Sequence, residues 1–293
     1  MCFTAVLAPL RIAAQQTVVQ DKEFWHSIAK SGYAVPPGET AAGLARSLTT
    51  LLGSPDPEIR DEIGYTTLAY WIFQKRLLTD AEMQPIVAEL LVNLRKDVGG
   101  TDSDAVLQRS FSALVLSVVA ARDNAVPFLN EKQFRDILGA ALAYDDAEKD
   151  IRGYDPEKGW IHSAAHTADL LKFLARSRYV TPGDQASILN AITRKLRSAA
   201  TVFGFGEDER MARAVLSIVS RPDFDFPGFQ KWLAESKPVL PQAARPQVSD
   251  LRGCQNLKNM LAKLEVLLLN QPAGTANAPS TASAVQETLK GTF

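Results

Sequence analysis

Apolar residues recur at spacings of three and four along most of the chain, which is the periodicity of amphipathic helices. Between the two ends, the sequence has no alternating runs of Val, Ile and Thr bounded by Asn-Gly or Asp-Gly turns, which are the usual signal for β-hairpins. The pattern therefore predicts an all-α fold.

Helix-start signals recur at a constant spacing. Thr79, Asn130 and Thr181 each supply an N-capping side chain followed by an acid or a proline, and they lie 51 residues apart. The same offset aligns three isoleucines on the inward faces predicted for the helices that follow: Ile86, Ile137 and Ile188. This repetition predicts an α-solenoid of antiparallel helix pairs, similar to HEAT and armadillo repeats, with a period of 51 residues.

The two ends of the chain depart from this pattern. Residues 1–16 form an apolar run that ends in small residues and resembles the back half of a secretory signal peptide, although Arg11 interrupts it and an ordinary first helix is the alternative. This run favours export to the periplasm over a cytoplasmic location. Residues 271–293 are rich in Ala, Thr, Ser, Pro and Gly and predict a flexible tail. A single helical-repeat domain is expected over residues 17–270.

Composition narrows the range of functions. The chain has 32 Lys and Arg against 33 Asp and Glu, so it lacks the basic excess that usually accompanies nucleic-acid binding. Its longest apolar run is too short for the roughly 18 residues of a membrane span, so no span is expected. Two cysteines cannot build a disulfide framework, and the phosphate-binding, dinucleotide-binding and nucleophile-elbow glycine motifs are absent.

One polar stripe stands out in the segment 157–169, which predicts the start of a helix. At about 100° per residue, His162, His166 and Asp169 fall within roughly 60° of one another on that helix. Two histidines four residues apart can bind one zinc ion, with Asp169 as a third ligand or as the residue that orients His166. The stripe has three open interpretations, which are a hydrogen-bonded structural cluster, a ligand pocket and a zinc site.

Charged residues from neighbouring units could join this stripe. Glu207, Glu209 and Arg210 open a helix one repeat downstream, where acids also favour the helix dipole and a capping role. Arg109 lies one repeat upstream in a very apolar helix, so it needs a partner, and an acid from the next unit is expected. A solvated loop is predicted for the acidic residues that follow, with Arg152 as their counter-charge: Asp145, Asp146, Glu148 and Asp150.

Three separated blocks of the sequence resemble an uncharacterised bacterial family, numbered 2785 among the domains of unknown function. The blocks are RSFSALVLS at 109–117, RGYDPEKGWIHSAAHTADLL at 152–171 and FGEDERMARAVL at 205–216, and Thr167 departs from the Gly expected there. The resemblance implies a helical-repeat fold and no particular reaction. It places eight candidate ligand-binding residues in the signature blocks: Arg109, Trp160, His162, His166, Asp169, Glu207, Glu209 and Arg210.

Two functions remain as expectations. The first is a non-enzymatic binding protein that holds a small polar ligand or a peptide in a groove between repeats. The second is a metal-assisted hydrolase, in which His162, His166 and a carboxylate hold zinc and Glu207 or Glu209 acts as the base. Nucleic-acid binding by a basic inner face is disfavoured by the charge balance.

Overall fold

The computed structural model describes residues 21–238, 245–272 and 275–290, and over these ranges the chain is almost entirely helical. The all-α prediction is therefore confirmed. The segment interpreted as a signal-peptide remnant, residues 1–16, lies outside the described residues.

The helices follow one another with short connections. The α-helices are α1 (Lys22–Lys30), α2 (Ala41–Leu51), α3 (Thr66–Ala69), α4 (Asp80–Asn93), α5 (Ala105–Ala125), α6 (Glu131–Ala147), α7 (Ser163–Leu174), α8 (Pro182–Ser198), α9 (Glu207–Val219), α10 (Phe226–Glu235), α11 (Val248–Leu269) and α12 (Ala278–Leu289). Two π-helices, π1 (Glu58–Tyr65) and π2 (Tyr70–Gln74), flank α3. A two-stranded antiparallel hairpin, β1 (Tyr154–Asp155) and β2 (Gly159–Trp160), precedes α7.

The three predicted helix starts are confirmed. Thr79, Asn130 and Thr181 cap α4, α6 and α8, and each forms a complete capping box with the side chain three residues later. The isoleucines aligned by the sequence offset are all buried: Ile86, Ile137 and Ile188. The second helix of the following pair, α10, is capped by Asp225, which lies fewer than 51 residues after Thr181. The offset of 51 residues therefore does not continue to α10.

Helix α5 lies at the centre of the fold. It packs against π2 and α4 on one side and against α7 on the other, while α7 in turn packs against α9, and α9 against α11. By length and composition α5 is also apolar enough to cross a membrane. In the fold, its apolar surface is mostly covered by the neighbouring helices.

The flexible tail predicted over residues 271–293 is wrong for its central part. Residues 278–289 form α12, which packs on α10 and α11 and buries Val285 and Leu289. The Asn277 side chain donates hydrogen bonds to the carbonyl groups of Val219 (2.8 Å) and Arg221 (3.1 Å) at the end of α9. The composition was misleading because most of the buried face consists of small residues, which allow close helix packing: Ala278, Thr281 and Ala282.

Candidate functional site

The position of the first histidine, His162, depends on the β-hairpin before it and on its own left-handed backbone conformation. The sequence predicted that His162 lies within a helix, but α7 begins at Ser163 and His162 is its N-cap, with φ 50° and ψ 32°. The chain therefore turns sharply between Trp160 and α7. The two histidine rings still lie close together, with centroids 5.7 Å apart and planes nearly perpendicular.

Arg60 fixes the hairpin in this position. Its guanidinium is fully buried and donates hydrogen bonds to the carbonyl groups of Lys158 (2.6 Å) and Trp160 (3.3 Å). The same group lies 4.8 Å from the centroid of the Phe111 ring on α5. Arg60 thus connects π1, the hairpin and α5. No local sequence pattern indicates this role, because its partners in the hairpin lie about a hundred residues away.

His162 is buried against an aromatic surface. Its ring stacks on Trp160 at 4.3 Å between centroids, and Trp160 is 42% exposed with Tyr154 and Phe205 at its edges. Burial and the positive charge of Arg210 lower the pKa of His162 to about 4. The imidazole is therefore neutral at pH 7, and its Nε2 atom has no hydrogen-bond partner among the described residues.

Ser110 determines the tautomer of His166. The Ser110 hydroxyl lies 2.5 Å from the Ile161 carbonyl and 2.8 Å from His166 Nδ1. Because a carbonyl only accepts, the serine donates its proton to Ile161, so Nδ1 of His166 must donate to Ser110. Burial, together with the positive charge of Arg210, lowers the pKa of His166 well below its usual value. Nε2 of this neutral ring therefore carries the lone pair, and Ser110, which is buried, serves to orient the ring.

We expect Ser110→Ala to lower the free energy of unfolding by about 1–2 kcal/mol, because it leaves His166 Nδ1 and the Ile161 carbonyl without a partner inside the protein. Ser112 is a matched control, since it is buried on the same helix and its hydroxyl has no partner among the described residues. Ser112→Ala should be neutral or stabilising. Urea unfolding of both variants measures the difference, and equal losses would contradict the assigned role of Ser110.

Asp169 is the third residue of the stripe and lies between two cations. One carboxylate oxygen accepts from Lys172 at 2.7 Å, and the other forms a short ion pair with Arg210 of α9. The structure thus brings the predicted residues Asp169 and Arg210 together across the α7–α9 contact. The polar face of α7 continues from the histidines to an acid that carries two positive partners.

The zinc interpretation of His162, His166 and Asp169 is not supported by this arrangement. Among the described residues, no group of three or more His, Cys, Asp or Glu side chains is placed to hold a metal ion. Both oxygens of Asp169 already have cationic partners, and the positive charge of Arg210 disfavours a cation beside the histidines. The helical wheel suggested a third ligand because it took no account of partners from other helices.

Arg109 belongs to a different cluster from the stripe. It is fully buried and binds Glu148 through two hydrogen bonds, of 2.6 and 3.2 Å. The predicted acidic partner is therefore present, but Glu148 ends α6 and belongs to the same helix pair as α5 rather than to the next unit. Its remaining nitrogen, Nη1, donates to the carbonyl groups of Lys96 and Asp97. The acidic run is not a solvated loop, because Asp145, Glu148 and Asp150 are buried; Arg152 does pair with Asp150, as expected.

The two glutamates proposed as catalytic bases face other groups. Glu207 is buried and accepts a hydrogen bond from the backbone N–H of Phe205 at 2.9 Å, and burial raises its pKa. Glu209 is half-buried and pairs with Arg213 one turn along α9. In the part of the chain that the structure describes, no hydrogen bond joins either glutamate to His162 or His166, so the geometry gives neither a role as their base.

A groove beside Asp169 was missed by the sequence analysis. Its floor is α5, its walls are π1 to π2 and α7, and its volume is about 410 Å³. It is lined by Tyr65, Thr66, Ala69, Tyr70, Phe73, Gln74, Leu114, Ser117, Val118, Ala121, Asp169, Lys172 and Phe173. The wall formed by π1 and π2 does not follow α-helical spacing. In a π-helix the hydrogen bonds join residues five apart, so the residues that share a face differ from those of an α-helix.

Comparison with known proteins gives one match. A family model described as "Protein of unknown function (DUF2785)" matches residues 94–269. These residues include α5 to α11, and therefore the stripe, Arg210 and the floor of the groove, but they exclude π1 and π2. No curated protein and no solved structure matches the chain.

Proposed function

The chain belongs to the DUF2785 family, whose description names no activity, and we propose from the chemistry of its groove that it is a binding protein. In this proposal, the groove between π1–π2 and α7 holds a small ligand with a polar end, or a peptide. The observation that carries the proposal is a mostly apolar groove whose charged lining residues are Asp169 and Lys172, with Arg210 bound to Asp169.

The size and lining of the groove support ligand binding. Its volume of about 410 Å³ lies within the range of roughly 300–1,000 Å³ that is typical of small-molecule sites. Such sites are mostly apolar with a few polar groups that fix orientation. Here the aromatic rings of Tyr65, Tyr70 and Phe73 form one wall, and Asp169 and Lys172 are the polar groups on the other.

The unusual wall also supports a functional groove. Glu58–Tyr65 and Tyr70–Gln74 are π-helical, a conformation that is rare and is found frequently at functional sites. Because π-helical hydrogen bonds are less favourable than α-helical ones, two such stretches around α3 need a compensating gain. Ligand binding between these stretches and α7 would supply that gain.

The proposal includes the architecture of a HEAT-like solenoid. Stacked helix pairs would produce two rows of successively packed helices. One such row is α5, α7 and α9, and the other is α6, α8 and α10. In such an arrangement the groove is the space between neighbouring units. The hydrolase alternative is not proposed, because both oxygens of Asp169 are paired with Lys172 and Arg210 and, among the described residues, Glu207 and Glu209 pair with groups other than the histidines.

An uncharged fluorescent probe, N-phenyl-1-naphthylamine, tests the proposed groove. We expect saturable binding with one site per chain, and Ala121→Trp, which fills the groove from α5, should weaken it at least about tenfold because the bulky ring occupies the space of the probe. Ala81→Trp on the exposed face of α4 is the matched control and should leave binding unchanged. Absence of saturable binding, or equal affinity of both variants, would overturn the proposal.

A further inference from the structure

The acid that lines the groove is bound by two cations, one of which also lines the groove. Among the residues that line it, Asp169 and Lys172 are the charged ones. Asp169 is also paired with Arg210, so one carboxylate binds two cations. Lys172 and Arg210 retain side-chain exposure of 18% and 35%, which leaves part of each cation accessible.

Further cations border the aromatic rings of the groove. The Lys75 ammonium lies 5.5 Å from the centroid of Tyr70, and Arg176 lies 5.1 Å from that of Phe173. Lys172 lies 4.6 Å from the same Phe173 ring. Glu207 is the other acid that interacts with Arg210, but it is buried outside the groove lining and is held by the backbone of Phe205.

Tyr65 adds a neutral donor at the same end. Burial, followed by the charge of Asp169, raises the pKa of Tyr65, so its hydroxyl stays protonated at neutral pH. Tyr65 and Asp169 line the same groove. A phenol and two partly exposed cations together favour a ligand group that accepts hydrogen bonds and is negatively charged.

Resting on the proposed function, we infer that the groove selects medium-chain carboxylates, with the alkyl chain against α5 and π2 and the carboxylate beside Lys172 and Arg210. The remaining groove surface is mostly apolar, with Leu114, Val118 and Ala121 on its floor. A ligand of about a dozen non-hydrogen atoms fits within this volume. An ammonium ligand would instead meet Lys172, while the acid in the lining is already paired with two cations.

Three ten-carbon compounds with the same tail separate the contributions of tail and charge. Displacement of N-phenyl-1-naphthylamine by decanoate, decanol and decylammonium is measured at pH 7.5, and decanoate should bind at least tenfold more tightly than decylammonium, with decanol between them. If all three compete equally, the charge inference is overturned while the proposed groove stands. If the probe itself does not bind, the proposed function fails first.

Variants at the polar end provide the second test. Lys172→Met should weaken decanoate about tenfold and leave decanol unchanged, and retained decanol binding shows that the groove is intact. Asp169→Asn should tighten decanoate several-fold, because it removes the carboxylate that competes for both cations. Arg213→Gln on α9 removes an exposed arginine that pairs with Glu209 and should change nothing. Equal decanoate affinity in the wild type and Lys172→Met would overturn the inference.

Discussion

Replacing Arg109 with methionine is expected to lower the free energy of unfolding by about 3–5 kcal/mol, the cost of leaving a buried charge without its partner. Glu148, 3% exposed, would lose both hydrogen bonds from the guanidinium. The carbonyl groups of Lys96 and Asp97 would also lose their donor. Arg109→Lys should recover little of this loss, because a single ammonium cannot reach the carboxylate and both carbonyls in the geometry of a planar fork.

Urea unfolding at pH 7.5 measures the effect of Arg109→Met. Arg213→Met removes an exposed arginine that pairs with Glu209, and it should change stability by no more than about 0.5 kcal/mol. Adding Glu148→Gln to Arg109→Met should restore part of the loss, since it removes the uncompensated charge. A loss below about 1 kcal/mol for Arg109→Met would show that the pair contributes far less than a buried charge pair should.

The second large expected effect is a pH-dependent contribution of His162 to the free energy of unfolding. Its pKa is about 4 in the folded protein and about 6.5 in an unfolded chain, so the unfolded state binds the proton more strongly. A lowered histidine pKa stabilises the fold above pH 6.5, and this stabilisation is lost as the pH falls towards 4. Between pH 7.5 and 5 the loss from His162 alone is about 2 kcal/mol.

The measurement compares the wild type with His162→Asn at pH 7.5, 6 and 5. Asparagine tolerates the left-handed backbone at this position and does not titrate. The comparison is needed because burial raises the pKa of Asp61 and of Asp145 to about 6, and these two acids stabilise the fold as the pH falls. From pH 7.5 to 5, the free energy of unfolding of the wild type should fall by about 2 kcal/mol relative to that of His162→Asn. A difference that stays constant with pH would contradict the assignment of this pH dependence to His162.

Much of the fold was predictable because its signals are local. The capping boxes at Thr79, Asn130 and Thr181 require only side chains three residues apart, so the sequence alone locates those helix starts. Helix α12 was missed because its buried face is built largely from alanine and threonine, and a composition rule discounts such residues. The π-helices were missed because α-helical periodicity was the only helical pattern considered.

The candidate site was predictable only in part. The need of Arg109 for an acidic partner followed from burial of a charge in an apolar helix, and Glu148 is that partner. The stripe was correct for His166 and Asp169, which are both on α7, but not for His162, which lies in the turn before it. The roles of Ser110 and Arg60 depend on contacts across 51 to 100 residues, for which one sequence holds no local signal.

The two π-helices have a consequence for how this protein can vary. Each of their turns accommodates an extra residue relative to an α-helix, so removing one residue from Tyr70–Gln74 would allow this stretch to close with α-helical hydrogen bonds. The rings inside this stretch, Tyr70 and Phe73, would then change direction relative to α5, while the residues beyond it kept their packing because the extra residue of a π-turn is absorbed within that turn. Single-residue insertions and deletions in this wall are therefore a route by which related chains could acquire different pockets on an unchanged scaffold.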